Sequence, residues 1–170
     1  MTVRVLEFCR WLAATPWSIA LHESIWVYPI VESVHVLTLC LFLGLVVVMD
    51  LRLLGVTMMK TPAAEVVARL VPWTIAGFAV MVVSGSLLFY AIPVKTYLNI
   101  FFRFKVAFLL LAGANTAVFH LTIYRTIRNW GVEAAPPLPA RLAGAVSLLL
   151  WAGIVVAGRM IAYNWFDKQT

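Results

Sequence analysis

The chain has 170 residues, of which 64% are hydrophobic and 12% charged, with a net charge of +6 and a mean hydropathy of +0.97. A soluble domain carries roughly twice that charge fraction, so the composition excludes a water-soluble globular protein and points to an integral membrane protein with one domain. The basic residues are scattered between apolar segments rather than gathered in a stripe, which argues against nucleic acid as a partner and suits cations near anionic lipid headgroups.

Val5, Phe8, Cys9 and Leu12 fall on one helical face, and Arg4, Glu7 and Arg10 on another. That pattern predicts a helix lying in the membrane interface. The same charges interrupt any apolar core, so no cleavable signal peptide is expected. Thr15-Pro16 restarts the chain with proline at a first helical position, and residues 1–27 read as interfacial helices. Tyr28-Pro29 is the next break. The first span is expected over about 29–54, ending at Asp50-Leu-Arg52 and Gly55, a stop-transfer pair followed by a helix-ending glycine.

Thr61-Pro62 predicts a short connector helix carrying Glu65 and Arg69. The second span follows at about 72–92, closed by Pro93. The third covers about 99–127, with Arg103 and Lys105 near its start. Ala134-Ala-Pro-Pro-Leu-Pro139 is the clearest linker, and the fourth span covers about 140–163. Each supplies the ~20 apolar residues that a ~30 Å hydrocarbon core requires. The expected fold class is all-α: a polytopic four-transmembrane-helix bundle with an N-terminal interfacial helix. Gly144, Gly153, Gly158 and their small neighbours would let helix backbones approach closely. Trp11, Trp17, Trp26, Trp73, Trp130 and Trp165 lie near span ends, as an aromatic belt does; Trp151 is mid-span and is expected to pack inside the bundle. Cys40 falls within the first span, so a disulfide with Cys9 is not expected.

Two ionisable residues stand out. Glu32 and His35 lie inside the first apolar stretch, where such residues are costly and read as functional by default. Their spacing sets them on one helical face, about 60° apart. Four alternating spans then sort the polar residues by depth, at ~1.5 Å per residue. Let A be the face that holds both termini and B the other. Glu32, His35, Lys105, Arg159 and Tyr163 fall in one layer near A, with Tyr90 at the same end. His120 lies toward B, roughly 15 Å from the depth of His35, with Asp50, Arg52 and Arg69 as companions; Asn115 sits between the layers. Short-loop basic residues lean to B (Arg52, Lys60, Arg69, Arg125, Arg128, Arg141) over A (Arg4, Arg10, Lys95, Lys168), which makes B cytoplasmic and the termini periplasmic.

A neutral imidazole in a membrane helix can ligate haem iron or copper. Glu32, one turn earlier, is expected to accept the other ring N–H and fix the tautomer. Arg159 and Lys105 would neutralise haem propionates, and a deprotonated Lys105 would serve as an axial ligand. The plain alternative is a buried network in which Glu32 pairs with Arg159 or Lys105 and locks the bundle. His120 is a second candidate metal ligand, and His22 reads as an interface residue. No C-x-x-C-H occurs, so covalent c-type haem is excluded.

The segments Tyr28-Pro-Ile-Val-Glu-Ser-Val-His35, Asp50-Leu-Arg-Leu-Leu-Gly55, Asn99-Ile-Phe-Phe-Arg-Phe-Lys105, Phe119-His120 and Gly158-Arg-Met-Ile-Ala-Tyr163 resemble a bacterial inner-membrane family known only as a domain of unknown function. The likeness covers nearly the whole chain and implies no activity. More remotely, a His in the first span and a Lys entering the third resemble the haem-binding membrane protoporphyrinogen oxidase family and copper-resistance membrane proteins. That likeness touches only His35 and Lys105.

The expected function is therefore an inner-membrane protein that binds haem b, or copper as the alternative, in the layer around His35, for electron transfer. Enzymatic activity is not the leading expectation; if present, it would be that of a membrane oxidoreductase. The rivals are a proton- or ion-relaying transporter accessory protein and a structural subunit of a larger membrane complex. The expected partners are the lipid bilayer and another redox or membrane protein, with homo-oligomerisation open.

Overall fold

The computed structural model describes residues 2–130 and 135–163. Ala134, Trp165 and Lys168 of the expected linker, belt and A-side charges lie outside these. Among the described residues the chain is all helix and turn. Helices α1 (Thr2–Ala13) and α2 (Pro16–Glu23) precede four long ones: α3 (Val27–Leu54), α4 (Ala63–Ala91), α6 (Ile100–Val118) and α7 (Leu138–Ile161), with a short α5 (Pro93–Leu98) between α4 and α6. After α6 the same span continues as a π-helical turn (Phe119–Ile123) and a 3₁₀ segment (Tyr124–Asn129). Four apolar segments are long enough to cross a bilayer, and the chain is a multi-pass membrane protein with a four-span helical bundle.

The helix ends follow from local chemistry. The Thr15 hydroxyl accepts from Ser18 N–H at the start of α2, and Ser24 Oγ accepts from Val27 N–H at 2.9 Å before α3. Pro29 then falls in the first turn, where its missing N–H costs nothing. At the other end of α3, Gly55 adopts φ +78. Its N–H bonds to the Arg52 carbonyl at 3.1 Å and that of Val56 to Leu51 at 3.0 Å, the paired bonds of a Schellman ending. Arg52, only 1% exposed, donates Nε and Nη2 to the Thr61 carbonyl at 3.2 and 3.0 Å. The supposed stop-transfer residue thus fastens the α3–α4 loop.

The expected connector helix is not separate. It is the first part of α4, which runs unbroken through Pro72. A proline removes one backbone bond, and spans tolerate it because neighbouring groups satisfy what it frees. Glu65 and Arg69, the one ion pair among the described residues, sit one turn apart on its surface at 2.7 Å.

α3 packs on both α4 and α7, and α7 packs on α6. Among the described residues α4 and α6 make no extensive direct packing. The centre is apolar: Phe42 meets Trp151 edge-on at 4.7 Å, beside Val46, Ala112 and Ile154. A second cluster joins Leu53, Phe119 and Ala140 toward B. A third joins Ala63, Val67 and Ile127, closing the 3₁₀ segment onto the start of α4. Trp151 is interior as expected, while Trp11, Trp17, Trp26 and Trp73 are exposed. On the A side α1 packs mainly on α5. Ser18 Oγ donates to the Tyr90 carbonyl, and Thr15 meets the Tyr90 hydroxyl, both at 2.7 Å.

Backbone proximity is greatest where α7 carries glycine. A Cβ at Gly144 would stand 3.0 Å from the Asp50 carbonyl oxygen and 3.3 Å from Leu53 Cβ, whereas one at Gly44 would meet nothing within 4 Å. Gly144→Ala is expected to destabilise the bundle by about 1–3 kcal/mol. Gly44→Ala is expected to be neutral or to stabilise by up to ~1 kcal/mol through helix propensity. Unfolding in mixed micelles checks both.

Candidate functional site

His35 lies on the α3 face turned toward α4 and is half-buried. Its Nδ1 is 2.8 Å from Ser84 Oγ, and Ser84 is buried. A serine hydroxyl has one proton. The Val80 carbonyl, 2.7 Å away on the preceding turn of α4, is in place to take it. With the proton so placed the oxygen accepts from Nδ1–H, and Nε2 would carry the free lone pair. This is the arrangement that a ligating histidine uses, with its second nitrogen fixed by a hydrogen bond. Gly85 makes it possible: a Cβ there would stand 3.2 Å from His35 Cε1.

Ser84 therefore fills the place expected for Glu32. Glu32 is exposed, and among the described residues neither Lys105 nor Arg159 forms an ion pair with it. The reason is geometric. A 60° offset on one helix is enough to carry Glu32 off the α4-facing side while His35 stays on it.

Lys105 is the second member of the layer. It is half-buried on α6, and its Nζ lies 3.6 Å from where a Gly158 side chain would begin on α7. Lys105 near the start of α6 and His35 near the start of α3 both lie toward A. Arg159 is more peripheral. It is exposed, with its guanidinium carbon 5.2 Å from the Tyr163 ring centroid and Nη2 donating to the Tyr163 hydroxyl at 3.1 Å.

His120 is placed apart from this layer. It lies in the π-helical turn, exposed, with its ring 5.0 Å from that of Tyr124 and 5.5 Å from that of Phe119. It lines a cavity of about 470 Å³ with Asp50, Asn115 and Ser147. Asn115 Nδ2 donates to the Ala143 carbonyl at 3.0 Å, bridging α6 to α7. Among the described residues no three His, Cys, Asp or Glu side chains are grouped to hold a metal ion. The A-side layer instead offers one imidazole and one amine.

Ser84 and Gly85 were missed in the sequence. The signal was present: Ser84-Gly-Ser86 interrupts an apolar run near the A end of the second span, at the depth of His35 when counted from Pro93.

A family model matches residues 24–164, that of a family of unknown function (DUF6644). No curated protein and no solved structure matches the chain.

Ser84→Ala removes the acceptor at Nδ1. In protein carrying ¹⁵N-histidine, the His35 signals are expected to change from one fixed Nδ1–H tautomer to a mixture, with about 1 kcal/mol of stability lost. Unchanged imidazole shifts would show that Ser84 does not set the tautomer.

Proposed function

The chain belongs to a family with no assigned activity, and we propose from its own geometry that it is a membrane haem b protein of the electron-transfer type. His35 Nε2 and the neutral Lys105 amine would hold the haem iron. The observation that carries this reading is the Ser84 oxygen at Nδ1, which leaves Nε2 as the free donor. Gly85 and Gly158 support it by leaving room for the His35 ring and the Lys105 side chain themselves. Bound haem would supply a one-electron iron couple; the protein's part is to fix ligand orientation and keep the site within apolar helices.

Arg159 and Tyr163, exposed at the A end, are placed for the propionates, where a guanidinium is the preferred partner of a carboxylate. Glu32 remains a surface carboxylate one turn from the ligand, suited to contact with a partner protein rather than to holding the ring. Copper has less support, because the layer offers fewer donors than a protein-built copper site uses. We place the protein in a bacterial cytoplasmic membrane with its termini toward the periplasm, on the excess of basic residues in the B-side loops.

Protein purified from haem-replete cells is expected to show a Soret band and sharpened visible bands on reduction. His35→Ala should abolish the Soret band, and Lys105→Met should retain haem with an altered ligand-field spectrum. A colourless preparation that takes up no added haemin would overturn the proposal.

A further inference from the structure

The B half of the bundle holds a feature that the haem reading does not use. The cavity of about 470 Å³ has its floor on α3 and α7 and its walls on α4 and α6. It opens between those walls, where Ile75, Phe78 and Gly113 line it and are exposed. Its size is that of a small-molecule site. Its surface is mostly carbon, with Phe42, Phe78 and Trp151 supplying aromatic faces.

One group contradicts that apolar character. Asp50 lines the cavity, is 6% exposed, and its Oδ2 has no hydrogen-bond partner. Ser147 of α7 lines the cavity beside it. The nearest arginine in sequence, Arg52, is turned away to the Thr61 carbonyl. His120 is at the rim, with its ring against Tyr124. A buried carboxylate is normally paired, and this one has no cationic side chain against it among the described residues.

We propose that this cleft binds a lipophilic organic cation that enters sideways from the bilayer between α4 and α6. Asp50 is the counter-charge, and the aromatic walls take the apolar body and share in holding the charge. An inorganic ion fits less well, because it requires a shell of oxygen ligands that carbon-lined walls do not provide. Lateral entry follows from the exposed lining between α4 and α6 at Ile75, Phe78 and Gly113, which leaves the cleft facing lipid, where such a ligand concentrates; the two helices meet through Phe89 and Phe102 only toward A. The inference is independent of haem binding, which concerns the opposite half of the bundle.

The test is equilibrium binding of tetraphenylphosphonium to the purified chain in a mild detergent, with neutral triphenylphosphine oxide as the comparison. Saturable binding of one tetraphenylphosphonium per chain is expected, weakened about tenfold or more in Asp50→Asn and largely kept in Asp50→Glu. The neutral compound should not distinguish these variants. Gly113→Leu, which adds bulk where a Cβ meets nothing within 4 Å, should weaken binding without touching the carboxylate, and so tests the site even if Asp50→Asn does not fold. Equal binding by Asp50→Asn, or by Gly113→Leu, or only non-saturable partitioning would overturn the proposal. The Soret band, read on the same samples, reports the A-side site separately.

Discussion

The approach of α7 to α3 at Gly144 is the constraint around which the other spans are arranged. Lipid is as apolar as leucine, so no hydrophobic force gathers spans; they associate through close packing and hydrogen bonds. Close packing needs a position with no side chain, and the Gly144 α-carbon faces the Asp50 carbonyl directly. With α3 and α7 as the central pair, α4 lies on the outer side of one and α6 on the outer side of the other. The gap between α4 and α6 is the geometric remainder. It is bridged toward A by α5 and sealed toward B by Ile127 against Ala63 and Val67.

Within the spans, four hydroxyl groups share one habit. Thr74, Ser84, Ser86 and Thr122 each donate to the carbonyl four residues earlier. In hydrocarbon this is the nearest available acceptor. The habit has a chemical result, since each such oxygen is left able only to accept. At Ser84 that restriction favours the Nδ1–H tautomer of His35. Asp50 is the departure from this economy. It is sequestered without a matching donor on Oδ2, in the half of the bundle where the walls stand apart.

Much of the architecture was legible from residues alone. Span number, the interior place of Trp151, the exposed tryptophans and the separation of His120 from His35 all follow from hydropathy and rise per residue. The place of Lys105 and His35 toward the same face was legible for the same reason, since depth is set by counting. Azimuth was not legible. Counting gives height along a span but not which neighbour a side chain faces, so Glu32 was paired with His35 although it points outward. Ser84, on a helix whose rotation no motif announces, was overlooked. The continuity of α4 through Pro72 was hidden because a proline that ends helices in water is tolerated in lipid. Asp50 looked like a boundary charge because its sequence neighbours, Arg52 and Gly55, do mark a boundary.

The chain of donors from His35 through the Ser84 hydroxyl to the Val80 carbonyl makes the second span an electrical and mechanical listener to the first. Whatever withdraws electron density at Nε2 makes Nδ1–H a stronger donor. That polarises the Ser84 hydroxyl and in turn tightens its hold on Val80. The Val80 carbonyl also belongs to the backbone ladder of α4, and an added hydrogen bond there competes with the helical one and bends the helix locally. A change at one nitrogen would thereby reach the backbone of a neighbouring span through two hydrogen bonds.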